Sequence, residues 1–481
     1  MRLRPILRIT GGLLLLFSTA QLIPMLVAWI YDEPTARVFL IALLINASAG
    51  IVFWVAGRGG LELRSRDGFL ITVLFYLGLG FTGAVPMFMA PDVTGSFTDA
   101  AFESLSGLTT TGATVVTGLD DLPRSILFYR QLLQWLGGMG IIVLAVAVLP
   151  MLGVGGMQLY RTESPGPVKD AKLTPRIAGT AKALWLIYLG LTVACGVAYW
   201  VAGMGVFDAI CHAFSTVAIG GFSTHDLSLG FFDSRAVESV AIAFMTIAGI
   251  SFALHFAVLV RRRFSIYARD SELRLYLGVL AVAAMVVIVT LALAPESTDS
   301  PVRDGLFHAV SIATTTGFTT TDHDTWPVVA TVVMVFTAFA GGCAGSTAGG
   351  LKMYRVLLIY RQGLREIRRL IHPNGVFLIK FGDRLVPDRA VDAVWGFFAI
   401  YLIAFVTMVC ILLAISDLDF LSAFSAVAAN LNNLGPGLGE VASNYQDLPA
   451  AAKWVLMLAM LLGRLEIFTL LIVLTPEYWR T

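Results

Sequence analysis

Apolar runs of about 20 residues, the length a helix needs to cross the hydrocarbon of a bilayer, recur along the whole 481-residue chain. They fall at 8–30, 36–57, 68–90, 127–153, 178–203, 236–260, 273–294, 326–360, 391–415 and 450–475, the eighth interrupted by glycines. Ten such runs predict a polytopic helical membrane protein, since a β-barrel would show short alternating segments instead. Composition agrees: 14% of residues are charged and the mean hydropathy is +0.81, where a soluble chain carries about a quarter charged residues. The first run follows the basic head MRLRPILR and lacks a clear small-x-small cleavage site, so it reads as a membrane helix and not a removable signal. A net charge of +1 gives no bulk attraction to nucleic acid.

Most of the 33 lysines and arginines lie in the segments 1–8, 58–67, 154–182, 261–274, 351–392 and 476–481. The opposite connections carry Asp92, Asp99, Asp120, Asp121, Asp226, Asp322, Asp324, Asp417 and Asp447. The positive-inside rule then puts both termini in the cytoplasm. Four half-apolar pieces, near 97–109, 206–218, 303–315 and 420–432, are too short to cross. They must enter and leave from the acidic side. Re-entrant backbone is tolerated in a membrane only where protein buries it or it lines a watery path, so four such pieces point to a pore.

The pieces repeat. DAAFESLSGLTTTGATV from Asp99, DAICHAFSTVAIGGFSTHD from Asp208 and DGLFHAVSIATTTGFTTTD from Asp304 each open on an aspartate. A serine follows seven residues later (Ser106, Ser215, Ser311) and a glycine thirteen residues later (Gly112, Gly221, Gly317). SAFSAVAANLNNLGPGL from Ser422 puts Gly435 at the same offset, with Asp419 as a rival start. The aspartate is expected to cap a short helix, whose carbonyl end then faces the glycine and favours a cation there. A single TTTG fits a polar surface turn equally well. Four copies in register between membrane helices predict loops whose C=O groups replace an ion's water, with glycine supplying the unusual φ. The chain divides accordingly into two N-terminal helices at 1–64 and pore repeats at 65–160, 175–264, 270–365 and 388–481.

GGCAGSTAGGLK at 341–352 interrupts the third repeat. Its glycines make a continuous helix costly, at about 1 kcal/mol each against alanine. Close helix packing is one reading; a loop beneath the glycine ring is the other. Arg464 is the basic residue deep in a predicted span, where it must face protein or water. Glu466, two residues on, lies on another helix face and has no assigned partner. Cys195, Cys211, Cys343 and Cys410 lie far apart without a CxxC pair and read as buried thiols. His212 and His308 stand where Glu103 stands in the first repeat and are expected to brace the loops. GLGFTG at 78–83 lies in a membrane helix with no strand before it, so the dinucleotide reading fails. No HExxH spacing and no paired nucleophile and base argue for an enzyme.

TTTGATV, AIGGFST, TTTGFTTTD and LNNLGPGLGE, with GGCAGSTAGGLK and GRLEIFTLL, resemble the TrkH/TrkG/KtrB family of potassium uptake proteins over nearly the whole chain. The two extra N-terminal helices resemble its TrkH branch. The resemblance implies an all-α membrane fold of four fused helix–pore loop–helix repeats around a central pore. It implies a selectivity filter of backbone carbonyls at Thr110, Thr111 and Gly112; Ile219, Gly220 and Gly221; Thr315, Thr316 and Gly317; and Asn433, Leu434 and Gly435, with K+ as the bound and transported ion. It implies a gate at 341–352, with Gly345, Ser346, Thr347 and Gly349, and Arg464 as an electrostatic barrier beside it. It also implies a homodimer in the bacterial inner membrane, governed by a TrkA-like cytoplasmic ring of RCK domains that binds NADH or ATP. The basic stretch RQGLREIRRLIHPNG (361–375) resembles the surface that meets this ring; anchoring to anionic lipid is the alternative. Uptake would be channel-like. H+- or Na+-coupled symport ranks second, because no buried acid apart from Glu466 suggests alternating access, and a pump subunit would need an ATPase partner.

Overall fold

A long helix, a short one and a returning one, the last broken in two in repeats two to four, make each repeat of the computed structural model, which describes residues 3–59, 67–143, 174–294, 296–323, 325–382 and 384–480. The first repeat runs Asp67–Met89, Phe97–Leu108 and Arg124–Val143. The second runs Thr174–Val201, Val206–Ala218 and the pair Arg235–Ala248 and Phe252–Arg261. The third runs Ser271–Ala292, Pro301–Ala313, Val328–Ala340 and Met353–Ile371. The fourth runs Asp388–Ile415, Phe420–Leu431, Ala450–Arg464 and Phe468–Leu474. Leu3–Ala20, Leu22–Ile30 and Ala36–Ala56 precede them and pack on the first repeat. Among the described residues the only sheet is a two-stranded hairpin, Lys380–Phe381 against Arg384–Leu385. The 144–153 end of the fourth predicted run, and the basic residues of 154–172, lie outside the described residues.

Among the described residues six helices are long and apolar enough to cross a membrane, or eight if each of two bent pairs is one span. Two predicted runs fall outside that set for identifiable reasons. Arg124–Val143 carries Arg130, Gln131 and Gln134, all buried against protein. Val328–Ala340 stops at Gly341, whose φ is +65°. The lipid-facing character of the long helices is visible in exposed apolar side chains such as Leu186, Val193, Val197 and Trp200. The four short helices are instead sunk in the interior, with nearly every side chain of Phe97–Leu108 after its first turn buried.

Three local expectations are corrected. The repeated aspartates do not occupy the cap position. Ser96, Gly205 and Ser300 precede the first three short helices, and Asp99, Asp208 and Asp304 lie in the first turn. There they still complement the positive helix end. In the fourth repeat Asp419 is the cap, accepting from the Ser422 amide at 2.9 Å. The returning helix of repeat two is broken, bending 88° between Ala248 and Phe252, and that of repeat four bends 114° after Arg464. The first break is stabilised by exchange. The Gly249 carbonyl accepts from Cys343 N–H (2.9 Å), and Phe252 N–H donates to the Gly345 carbonyl (3.0 Å). The glycine-rich loop thus takes up the backbone groups that the bend releases.

Candidate functional site

Each short helix ends in the same turn. Thr111, Gly220, Thr316 and Leu434 donate their N–H to the carbonyls of Ser106, Ser215, Ser311 and Ala429, at 2.8–2.9 Å. This is the 6→1 bond of a Schellman motif. The residue that must turn left-handed in it is usually glycine. Here it is Thr110 (φ +53°), Ile219 (+54°), Thr315 (+66°) or Asn433 (+54°). Three of these are β-branched, for which a positive φ is a true outlier, and strain of this kind collects at functional sites. The glycine two residues on is also left-handed in every loop, with φ of +83° at Gly112, +79° at Gly221, +84° at Gly317 and +96° at Gly435.

These glycines close a ring. A methyl built on Gly112 would stand 2.1 Å from the Gly220 carbonyl oxygen, and one on Gly221 2.0 Å from that of Thr316. One on Gly317 would stand 2.1 Å from the Leu434 oxygen, and one on Gly435 2.7 Å from the Thr111 oxygen. The loops therefore meet in chain order, first against second, second against third, third against fourth and fourth against first. All twelve sequence-predicted loop residues come together here. What the arrangement offers chemically is a ring of backbone carbonyls, one from each loop, set against the next loop's glycine.

The wall behind the ring differs from loop to loop. The Thr111 hydroxyl pairs with that of Thr109, and the Thr316 hydroxyl with that of Thr314, each at 2.7 Å. Asn433 donates to the Thr111 hydroxyl (2.9 Å) and the Met460 carbonyl (3.0 Å). Arg130, fully buried, donates through Nε to Glu103 (2.8 Å) and through its other nitrogens to the Ser223 carbonyl (3.1 Å) and the Thr114 hydroxyl (3.2 Å). Its guanidinium also lies 4.3 Å from the Phe222 ring centroid. Glu103 further accepts from Thr114 and the Val115 N–H. One ion pair thereby joins the first loop to the second. His212 bridges Ser223 (3.0 Å) and the Asp208 carbonyl (2.9 Å). Lys453 reaches Asp99 at 2.6 Å and ties repeat four to repeat one.

Removing one partner of a buried ion pair costs about 3–5 kcal/mol. Glu103→Gln is therefore expected to lower the melting temperature of the detergent-purified protein, and Arg130→Met added to it to recover part of the loss. Equal melting of wild type and the single variant would mean that the pair does not hold the two loops.

Beyond the glycines, His225 sits between Asp120 and Asp208, with Nε2 3.6 Å from the latter. Burial by itself pulls its pKa down. The two flanking carboxylates, Asp208 and Asp120, outweigh this and raise it above the usual histidine value.

At the other end of the short helices lies the 341–352 loop. Gly349 N–H donates to the Thr315 hydroxyl (2.7 Å) and Gly350 N–H to the Asn432 carbonyl (3.1 Å). The Thr347 hydroxyl donates to the Val217 carbonyl (3.0 Å). The loop thus touches the bases of the second, third and fourth glycine loops. Gly345 serves the broken helix of repeat two, and the Ser346 hydroxyl stays within the loop, on the Cys343 carbonyl. Arg464 is 1% exposed and ends its helix at the 114° bend, where the sequence predicted a continuous span. It donates to the Thr347 carbonyl and to the Gly137 carbonyl of the first repeat, both at 3.1 Å. Glu466 finds its partner in Arg355. Lys352, Arg355, Arg464 and Glu466 line one internal cavity with Tyr401 and Asn433.

Sequence reasoning did not single out Lys352, Arg130 or Gln134. A signal existed for the last two: polar residues four apart share a helix face, and polar residues in a span face protein or water.

A family model described as a cation transport protein, TrkH, matches residues 35–480. The chain is 55% identical over 490 residues to the Trk system potassium uptake protein TrkH of Vibrio parahaemolyticus, covering 100% of both. It is 52% identical over 485 residues to the TrkH of Escherichia coli K12, again covering 100% of both. Identity to the Trk system potassium uptake protein TrkG of E. coli K12 is 41% over 483 residues, 99% of each chain. The crystal structure of the potassium transporter TrkH from Vibrio parahaemolyticus superposes with a TM-score of 0.92 at 51% identity, covering 100% of both chains.

Proposed function

The chain belongs to the TrkH family of cation transport proteins, and on that premise we propose that it admits potassium passively through the four-loop ring. It is a membrane potassium-uptake transporter of the Trk type and not an enzyme. The observation that carries the finer reading is the head-to-tail closure of the ring, in which each loop's glycine faces the next loop's carbonyl. In this reading Thr110, Thr111 and Gly112 and their counterparts in the other loops are the selectivity filter. Their carbonyls stand in for water around a dehydrated K+. The 341–352 loop, bonded to the bases of three filter loops and to Arg464, is the gate, and the buried charges of Arg464 and Lys352 oppose a cation beneath the ring. Gate opening is set by a TrkA-like cytoplasmic ring of RCK domains that binds NADH or ATP. It docks on the basic helix Met353–Ile371, which continues directly from the gating loop. The chain works as a homodimer in the bacterial inner membrane with both termini cytoplasmic.

The test is uptake of rubidium and sodium into liposomes that hold the purified chain. Rubidium is expected to enter down its own gradient without ATP, a proton gradient or a sodium gradient. Uptake that requires a proton or sodium gradient would replace the channel mechanism with symport. Uptake that requires ATP hydrolysis would remove both.

A further inference from the structure

Gly220 is an anomaly among the residues that precede the four left-handed glycines. Its counterparts are Thr111, Thr316 and Leu434, all with side chains. Its backbone does not demand glycine, because the left-handed φ belongs to Gly221 (+79°) and not to Gly220. Space demands it. A Cβ on Gly220 would stand 2.4 Å from Cδ of Gln134, a buried residue of the preceding repeat. Gln134 thus fills the volume that the threonine side chain fills in loops one and three.

Its hydrogen bonds extend the parallel. The Gln134 amide oxygen accepts from the Phe222 N–H (3.2 Å) and the Ser215 hydroxyl (2.6 Å). A backbone N–H can only donate, so this fixes the amide orientation. The amide nitrogen then donates to the Gly220 carbonyl at 2.6 Å. That carbonyl is one of the four in the ring. Among the described residues the Thr111, Thr316 and Leu434 carbonyls have no such side-chain donor.

We propose that Gln134 is a positioning residue for ion selectivity, tethering the Gly220 carbonyl and lowering its strength as an ion ligand. This rests on the reading of the ring as the filter. An oxygen already accepting a hydrogen bond offers less field to an ion and is less free to collapse inward. Small, strongly hydrated sodium needs a strong, contracted oxygen cage; potassium and rubidium need less. The tether therefore disfavours sodium. Removing it frees one oxygen in four.

The experiment compares rubidium and sodium uptake by proteoliposomes bearing wild type, Gln134→Met, Gln134→Ala, the Gln134→Ala/Gly220→Thr double variant, and Gly317→Ser as a control on the filter itself. Methionine keeps the volume and removes the donor. It is expected to raise the sodium-to-rubidium ratio about three- to tenfold, the size of one neutral hydrogen bond. Gln134→Ala is expected to do the same, and Gly220→Thr in that background to leave the ratio raised, because threonine refills the volume without supplying a donor to the carbonyl. A wild-type ratio in Gln134→Met while Gly317→Ser shifts it would overturn the role of Gln134 and leave the filter reading standing. A shifted ratio in Gln134→Ala that threonine at 220 brings back to the wild-type value would reduce Gln134 to packing. If Gly317→Ser also leaves the ratio unchanged, the filter reading falls and this inference with it.

Discussion

Serine in place of Gly317 is expected to cost the protein most of its discrimination between potassium and sodium. Two effects add. The position holds φ of +84°, and a left-handed backbone costs a residue with a Cβ about 1–2 kcal/mol. The Cβ would also stand 2.1 Å from the Leu434 oxygen and 2.6 Å from Cδ of Pro436, so one ring oxygen must move. A ring that selects by the placement of its oxygens loses about tenfold in the rubidium-to-sodium ratio for each ~1.4 kcal/mol of lost difference. The geometry also orders the four sites. Gly112, Gly221 and Gly317 face the next carbonyl at 2.0–2.1 Å, whereas Gly435 faces its neighbour at 2.7 Å. Serine at Gly435 should therefore be the mildest of the four, measured by the same uptake ratio. A Gly435→Ser variant more damaged than the others would contradict the ring as described.

Alanine in place of Arg464 is expected to raise basal ion flux in the absence of any partner. The side chain spans from the Thr347 carbonyl of the glycine-rich loop to the Gly137 carbonyl of the first repeat. Its removal deprives two carbonyls of a buried donor, at about 1–3 kcal/mol for an acceptor left with no other partner, and the cost falls on the arrangement of the loop seen in the structure. It also deletes one of the three buried basic side chains, with Lys352 and Arg355, that line this cavity. A shift of ~1.4 kcal/mol toward the open loop is tenfold in its population, so flux should rise about tenfold or more. Lysine at the same position separates the causes. Flux close to wild type would assign the effect to charge, and flux close to the alanine variant would assign it to the fork of hydrogen bonds that only arginine makes. Deletion within 345–349 should act in the same direction. Unchanged or lower flux in both variants, with normal expression, would remove the gate assignment.

Much of this molecule was legible before any coordinates. Apolar length, the offset of thirteen residues from Asp99 to Gly112 and its recurrence in three further places, and the glycines of 341–352 are local facts. Bilayer thickness, helix capping and backbone sterics act on stretches of a few to twenty residues, so the chain declares membrane helices, re-entrant pieces and left-handed turns by itself. What stayed hidden were pairings. The strained turns at Thr110, Ile219 and Thr315 look like ordinary polar or apolar residues until their φ is known. The bend at Gly249 is unremarkable in a sequence rich in glycine; it exists because the loop 341–352 arrives to take its freed carbonyl and N–H. Arg130 finds Glu103, Glu466 finds Arg355, and Gln134 fills the place of a side chain in another repeat. A buried polar group must have a partner, but which one is decided by proximity across the whole fold, between residues as many as 354 positions apart. Hence the sequence alone determined the class, the repeats and the four glycine turns, and only the tertiary structure decided which groups brace each loop.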